Sequence, residues 1–178
     1  MTFIRKWTPT PLNSNWLIEK LKLFSPGKKI SLINKKMIEV ISAIVTSAIF
    51  ILFMPLLKKH FSPQLIASTI LCSIAFIYVG YALKENPVNA IILEVTVALI
   101  FYFIAVTGYV KNLNLIAYGI MLHGVWDIMH HNGILISTNI PVYWPTFCSI
   151  IDLIWGIYFL IIFKQQKSAL APDLNIKN

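Results

Sequence analysis

His123-Gly-Val-Trp-Asp127-Ile-Met-His130-His131 sets four ionisable groups inside an otherwise apolar run. At helical spacing His123, Asp127, His130 and His131 fall at i, i+4, i+7 and i+8, which is roughly one face. An ionisable group within a membrane span costs about 2.5–3.5 kcal/mol on insertion scales, and more when it has no partner. The cluster therefore demands partners. Of the chain's seven acidic residues, Glu94, Asp127 and Asp152 lie deep in apolar stretches. Glu94 within Ile91-Ile92-Leu93-Glu94-Val95 and Asp152 between Ile151 and Leu153 are the natural candidates.

The rest of the chain agrees with a membrane setting. Of its 178 residues 57% are hydrophobic and 12% charged, with a mean hydropathy of +0.73. A soluble domain carries about 25% charged residues. Five apolar runs are each long enough to cross about 30 Å of hydrocarbon. We place them near 37–57, 62–83, 87–109, 113–131 and 145–163, separated by Lys58-Lys59-His60, Lys84-Glu85-Asn86, Lys111-Asn112 and a loop from Asn132 to Trp144. The expected fold is all-α, a polytopic transmembrane bundle of five spans. A basic segment (1–36) precedes the bundle (37–163), and a polar tail (164–178) follows it. The pattern predicts no secretory signal peptide, because the first strongly apolar run begins near Met37. Cys72 and Cys148 both sit in apolar runs, where a free cysteine packs as a small apolar residue.

The net charge of +8 is not a nucleic-acid signature, since the basic residues gather at the ends and in short loops. Before residue 37 stand Arg5, Lys6, Lys20, Lys22, Lys28, Lys29, Lys35 and Lys36. Trp16, Leu17, Leu21 and Phe24 recur at a helical period opposite Lys20 and Lys22, which suggests a surface-lying helix that Ser25-Pro26-Gly27 ends. A disordered basic tail fits the same composition. With the N-terminus inside, the inner side gains Lys84, while Lys58, Lys59, Lys111, Lys164, Lys167 and Lys177 lie outside. That bias favours a cytoplasmic N-terminus in a bacterial inner membrane.

Alternating span directions bring the start of span three, the end of span four and the start of span five to one side. Glu94, His123, Asp127 and Asp152 are therefore expected at similar depth. Imidazole and carboxylate ligands suit zinc, iron or manganese. In the resulting scheme His123, Asp127, His131 and Asp152 hold a divalent metal, and Glu94 and Asp152 are the catalytic carboxylates. His131 is preferred to His130 by spacing, Cys148 lies one turn before Asp152, and Tyr81 and Tyr102 are candidate hydrogen-bond partners. Trp126 and Trp155 are expected to pack. Membrane lipids are the expected partners, with a lipid or apolar substrate, and one short bundle leaves room for an oligomer. Three uses compete: a metal-dependent enzyme, a proton-coupled or metal transporter, and an accessory protein whose polar pairs merely satisfy one another.

The segments Leu122-His-Gly-Val-Trp-Asp127-Ile-Met-His-His131 and Tyr143-Trp-Pro-Thr-Phe-Cys148-Ser-Ile-Ile-Asp152 resemble a group of small multipass bacterial membrane proteins of unknown function. The resemblance covers the last three spans. It implies that these positions form one linked motif, and it brings no chemistry with it. Integral-membrane desaturases build di-iron sites from several histidine boxes, which a chain with four histidines cannot supply. Ceramidase-type zinc hydrolases share some ligand types but have more spans.

Overall fold

The computed structural model describes residues 26–84, 87–130 and 140–170, and the side chains of 33–168 within them. The expected surface helix around Trp16–Phe24, His131 and the tail beyond residue 170 lie outside the described residues. Five helices follow in order: α1 (Pro26–Leu57), α2 (Pro63–Ala82), α3 (Val88–Lys111), α4 (Leu113–His130) and α5 (Trp144–Leu170). There is no strand among the described residues.

Each boundary has a local cause. Pro26 opens α1, at the expected Ser25-Pro26-Gly27 break, and the helix runs without interruption to Leu57. Ser62 caps α2 by accepting a hydrogen bond from the Leu65 amide at 3.2 Å, with Pro63 just inside. Pro87 precedes α3, and Asn112 ends it in extended backbone. The Asn112 Oδ1 then accepts from the Asn114 amide at 3.1 Å, so one residue both stops α3 and starts α4. So short a joint forces α3 and α4 to run antiparallel. Helix α5 continues to Leu170, past the expected end of the last span at 163.

Four of the helices are long and apolar enough to cross a membrane: Ile33–Leu57, Pro63–Ala82, Val88–Lys111 and Trp144–Ser168. The expected fifth span, α4, does not meet that standard. The reason lies in its sequence: within 18 residues it carries Asn114, His123, Asp127 and His130. The helix that carries the buried polar cluster falls short of that standard because it carries it.

Helix α4 is also the most enclosed, packed against α2, α3 and α5. Its buried positions, from Ile116 and Ala117 through Gly119, Ile120 and Gly124 to His130, make one broad face, and Tyr118, Leu122, Val125 and Ile128 are exposed on the other. Its neighbours bury narrow stripes instead. On α2 the stripe is Ala67, Leu71, Ala75, Tyr78 and Ala82, and on α3 it is Ala90, Glu94, Ala98, Phe101, Ala105 and Gly108. Alanine at every second or third place lets the backbones approach closely, as helix packing in lipid requires. Within α1, Ala43, Ser47 and Met54 are buried, and Phe50 lies against Trp155 of α5 with ring centroids 4.3 Å apart. The opposite faces expose Ile41, Ile44, Leu52, Phe53, Ile100, Phe103 and many similar residues. Such surface suits contact with lipid tails.

The α4–α5 crossing is closest at two glycines. A Cβ on Gly156 would sit 3.0 Å from the Ala117 carbonyl oxygen and 2.4 Å from Met121 Cγ. One on Gly124 would lie 3.1 Å from the Ser149 carbonyl and 3.2 Å from Asp152 Cβ. Gly80 of α2 has nothing within 4 Å of its added Cβ. Gly156→Ala is thus expected to cost about 1–3 kcal/mol by overpacking against backbone that cannot yield. Gly80→Ala should be neutral or stabilising by up to about 1 kcal/mol. Unfolding of both variants in detergent, followed by circular dichroism, separates them; equal effects would contradict this packing.

Candidate functional site

Two turns at the end of α4 set His123, Asp127 and His130 on its enclosed side, and each finds its partner on a different helix. Tyr78 comes from late in α2, Glu94 from early in α3 and Asp152 from early in α5. The antiparallel order of the helices is what brings these positions to one end of the bundle. All of them are buried: Asp127 is 0% exposed, Glu94 and Asp152 1%, and His123 2%.

The deeper tier is built on His123. Its Nδ1 lies 2.7 Å from Asp152 Oδ2 and 3.7 Å from Asp127 Oδ1. A carboxylate accepts, so Nδ1 donates to Asp152 and the neutral ring keeps its lone pair on Nε2. The Tyr78 hydroxyl donates to Asp127 Oδ1 at 2.6 Å. Two buried atoms are then left over: His123 Nε2 and Asp127 Oδ2 have no hydrogen-bond partner. The Ile74 carbonyl is close enough to influence the imidazole without reaching hydrogen-bonding geometry. One ligating atom from each of His123, Asp127 and Asp152 fits within a 4.8 Å span, so the group could hold a metal ion. Two carboxylates this close and this dry need a cation or shared protons to neutralise them.

The outer tier is complete in itself. His130 Nε2 lies 2.6 Å from Glu94 Oε1, and its Nδ1 lies 3.0 Å from the Trp126 carbonyl oxygen. A carbonyl can only accept, so Nδ1 carries a hydrogen, and a single proton is held between Nε2 and Glu94. The two tiers are stepped along α4 by about 10 Å at 1.5 Å per residue. Tyr78 bridges them: its ring stacks on His130 at 4.3 Å and leans toward His123 at 5.9 Å.

The expected meeting of Glu94, His123, Asp127 and Asp152 at one depth is therefore resolved into two pairings. His123, Asp127 and Asp152 do come together; Glu94 pairs with His130 instead. His131, expected among the ligands, lies outside the described residues. His130, passed over on spacing, is buried and paired because Glu94 enters from α3 at its level, not at that of Asp127. Cys148 is a half-buried free thiol outside the three-residue group. Tyr102 is 42% exposed on the far face of α3, and Tyr81 meets Trp144 with centroids 5.9 Å apart. Trp126 and Trp155 pack partly buried against the core. The tyrosine that joins the cluster is Tyr78, which spacing could have found. It continues the helical repeat of Ala67, Leu71 and Ala75, whereas Tyr81 falls off that stripe.

Removing either member of the closed pair strands the other. Glu94→Ala and His130→Ala are each expected to cost about 3–5 kcal/mol. The double variant should cost clearly less than their sum. Detergent unfolding of the four proteins measures the coupling; additive effects would mean that the pair does not exist.

Residues 38–165 match DUF6010, a family of unknown function, and the matched stretch contains Tyr78, Glu94, His123, Asp127, His130 and Asp152. No curated protein and no solved structure matches the chain. Because the match covers most of the sequence, the chain belongs to the DUF6010 family.

Proposed function

We propose that this is a five-span membrane protein whose buried His123–Asp127–Asp152 cluster binds a divalent cation and acts on a lipid or other apolar substrate. The observation that carries the reading is the pair of unpartnered buried atoms, His123 Nε2 and Asp127 Oδ2. Buried polar atoms are rarely left without a partner, and each exception needs a reason. A cation coordinated by both atoms, and balancing two carboxylates, supplies that reason. Nitrogen and carboxylate donors suit zinc, iron or manganese. With two protein ligands the centre keeps its remaining positions open for water or substrate.

In this reading His123 ligates through Nε2 and Asp127 through Oδ2. Asp152 holds the imidazole in place from Nδ1, as carboxylates commonly do behind a metal-bound histidine. Tyr78 fixes the other oxygen of Asp127. Glu94 works through His130, and the proton they share is the one available for acid–base transfer. Helix α4 crosses the membrane with the other four, because its 18 residues reach about 27 Å and its polar side chains face the bundle. The excess of Lys and Arg before residue 37 favours a cytoplasmic N-terminus in a bacterial inner membrane.

A second reading is favoured by one feature. Tyr78 stands between two imidazole–carboxylate pairs, an arrangement that also suits a proton relay in a small carrier acting as an oligomer. Elemental analysis separates the two. Protein purified without chelator is expected to carry a near-stoichiometric transition metal that His123→Ala and Asp127→Ala abolish. Asp152→Asn keeps a hydrogen-bond acceptor for Nδ1 and should bind the same metal about 10–100-fold more weakly. If none of these proteins holds metal or takes it up on reconstitution, the metal reading fails. Gradient-driven proton flux in liposomes then becomes the relevant assay.

A further inference from the structure

At the opposite end of the bundle from Tyr78 and Glu94 lies a second polar feature, a cavity of about 790 Å³. It is formed by the start of α2, the α3–α4 joint and the last turns of α5, and its polar lining is Gln64, Lys111, Asn112, Asn114, Gln166 and Lys167. Phe163 and Leu113 complete the wall. Two ammonium groups border the cavity, and among the described residues no carboxylate lines it. Gln64 reaches across from α2 to donate to Gln166 Oε1 at 3.3 Å, tying the two helices together beneath it. That leaves the buried Gln64 Oε1 without a hydrogen-bond partner. The side chain of Asn112 is already engaged in capping α4.

We infer that this cavity binds a phosphate group, carried by the headgroup of a phospholipid. Paired lysines supply the countercharge that a phosphate needs. The unpartnered Gln64 oxygen asks for a hydrogen-bond donor, which a glycerol hydroxyl or an ethanolamine ammonium provides. The position is also that of a headgroup. Lys111 closes α3 and Gln64 opens α2, so the cavity sits where the spans end, and its apolar wall, Phe163 and Leu113, belongs to the core of the bundle. Basic pockets between helix ends are a recurrent way of holding lipid headgroups. The inference is independent of any metal at the other end.

Native mass spectrometry of the full chain, delipidated in detergent and titrated with phosphatidylglycerol, tests it. Lys111→Gln with Lys167→Gln should weaken lipid retention by about tenfold or more. Lys111→Arg with Lys167→Arg should retain it, showing that the positions and not a folding defect are at issue. Lys58→Gln with Lys59→Gln removes equal charge from the same end but outside the cavity, and should match the unsubstituted protein. Unchanged retention in the first variant, or equal loss in the last, would overturn the assignment. If excess inorganic phosphate displaces the lipid and is itself retained, the phosphate site stands but its occupant is a soluble phosphate, and the lipid assignment is overturned.

Discussion

A carboxylate or imidazole surrounded by hydrocarbon has no water to solvate it, so it must be satisfied by other groups of the same chain. Four such groups, His123, Asp127, His130 and Asp152, together with Glu94, meet at one end of this bundle. That requirement explains the position of α4. The face of α4 that carries three of them is accordingly packed against α2, α3 and α5, while Tyr118, Leu122 and Ile128 are exposed on its other face. Enclosure in turn demands small contact residues, which appear as the alanine stripes of α2 and α3 and as Gly124 and Gly156 at the α4–α5 crossing. The low hydropathy of α4 and the close packing around it are two consequences of one constraint.

The two tiers satisfy that constraint to different degrees. Between Glu94, His130 and the Trp126 carbonyl every hydrogen-bonding need is met, and an ion pair closed in this way can serve as a fastening between α3 and α4. Around His123 the accounting is incomplete: Nε2 of the imidazole and Oδ2 of Asp127 are buried without a well-formed hydrogen bond. That difference is what makes the deeper tier, and not the outer one, the candidate site.

Tyr78 and Trp126 join the cluster by fixing other groups. Tyr78 occupies one oxygen of Asp127 and stacks on His130; the Trp126 carbonyl sets which nitrogen of His130 carries its hydrogen. Roles of this kind come from geometry across helices. A tyrosine in an apolar span has an ordinary packing explanation, and a backbone carbonyl has no signature in the sequence at all.

The membrane class, the helix positions and the burial of His123, Asp127, Asp152 and Glu94 were all legible in the sequence. Length, hydropathy and the cost of burying charge act on each residue regardless of its neighbours. The choice of α4 as the enclosed helix was foreshadowed by the same residues, although they also lowered its hydropathy below that of the four helices apolar enough to cross a membrane. What only the tertiary structure decided was the pairing. Spacing along α4 gives angles about one axis, but whether Glu94 reaches His123 or His130 depends on how far α3 is shifted against α4. That shift is set by the Asn112 joint and by the seating of Gly108 on Ile116, contacts that lie at the other end of the helix pair. A displacement of about 10 Å, two helical turns, would exchange the partners without changing a residue.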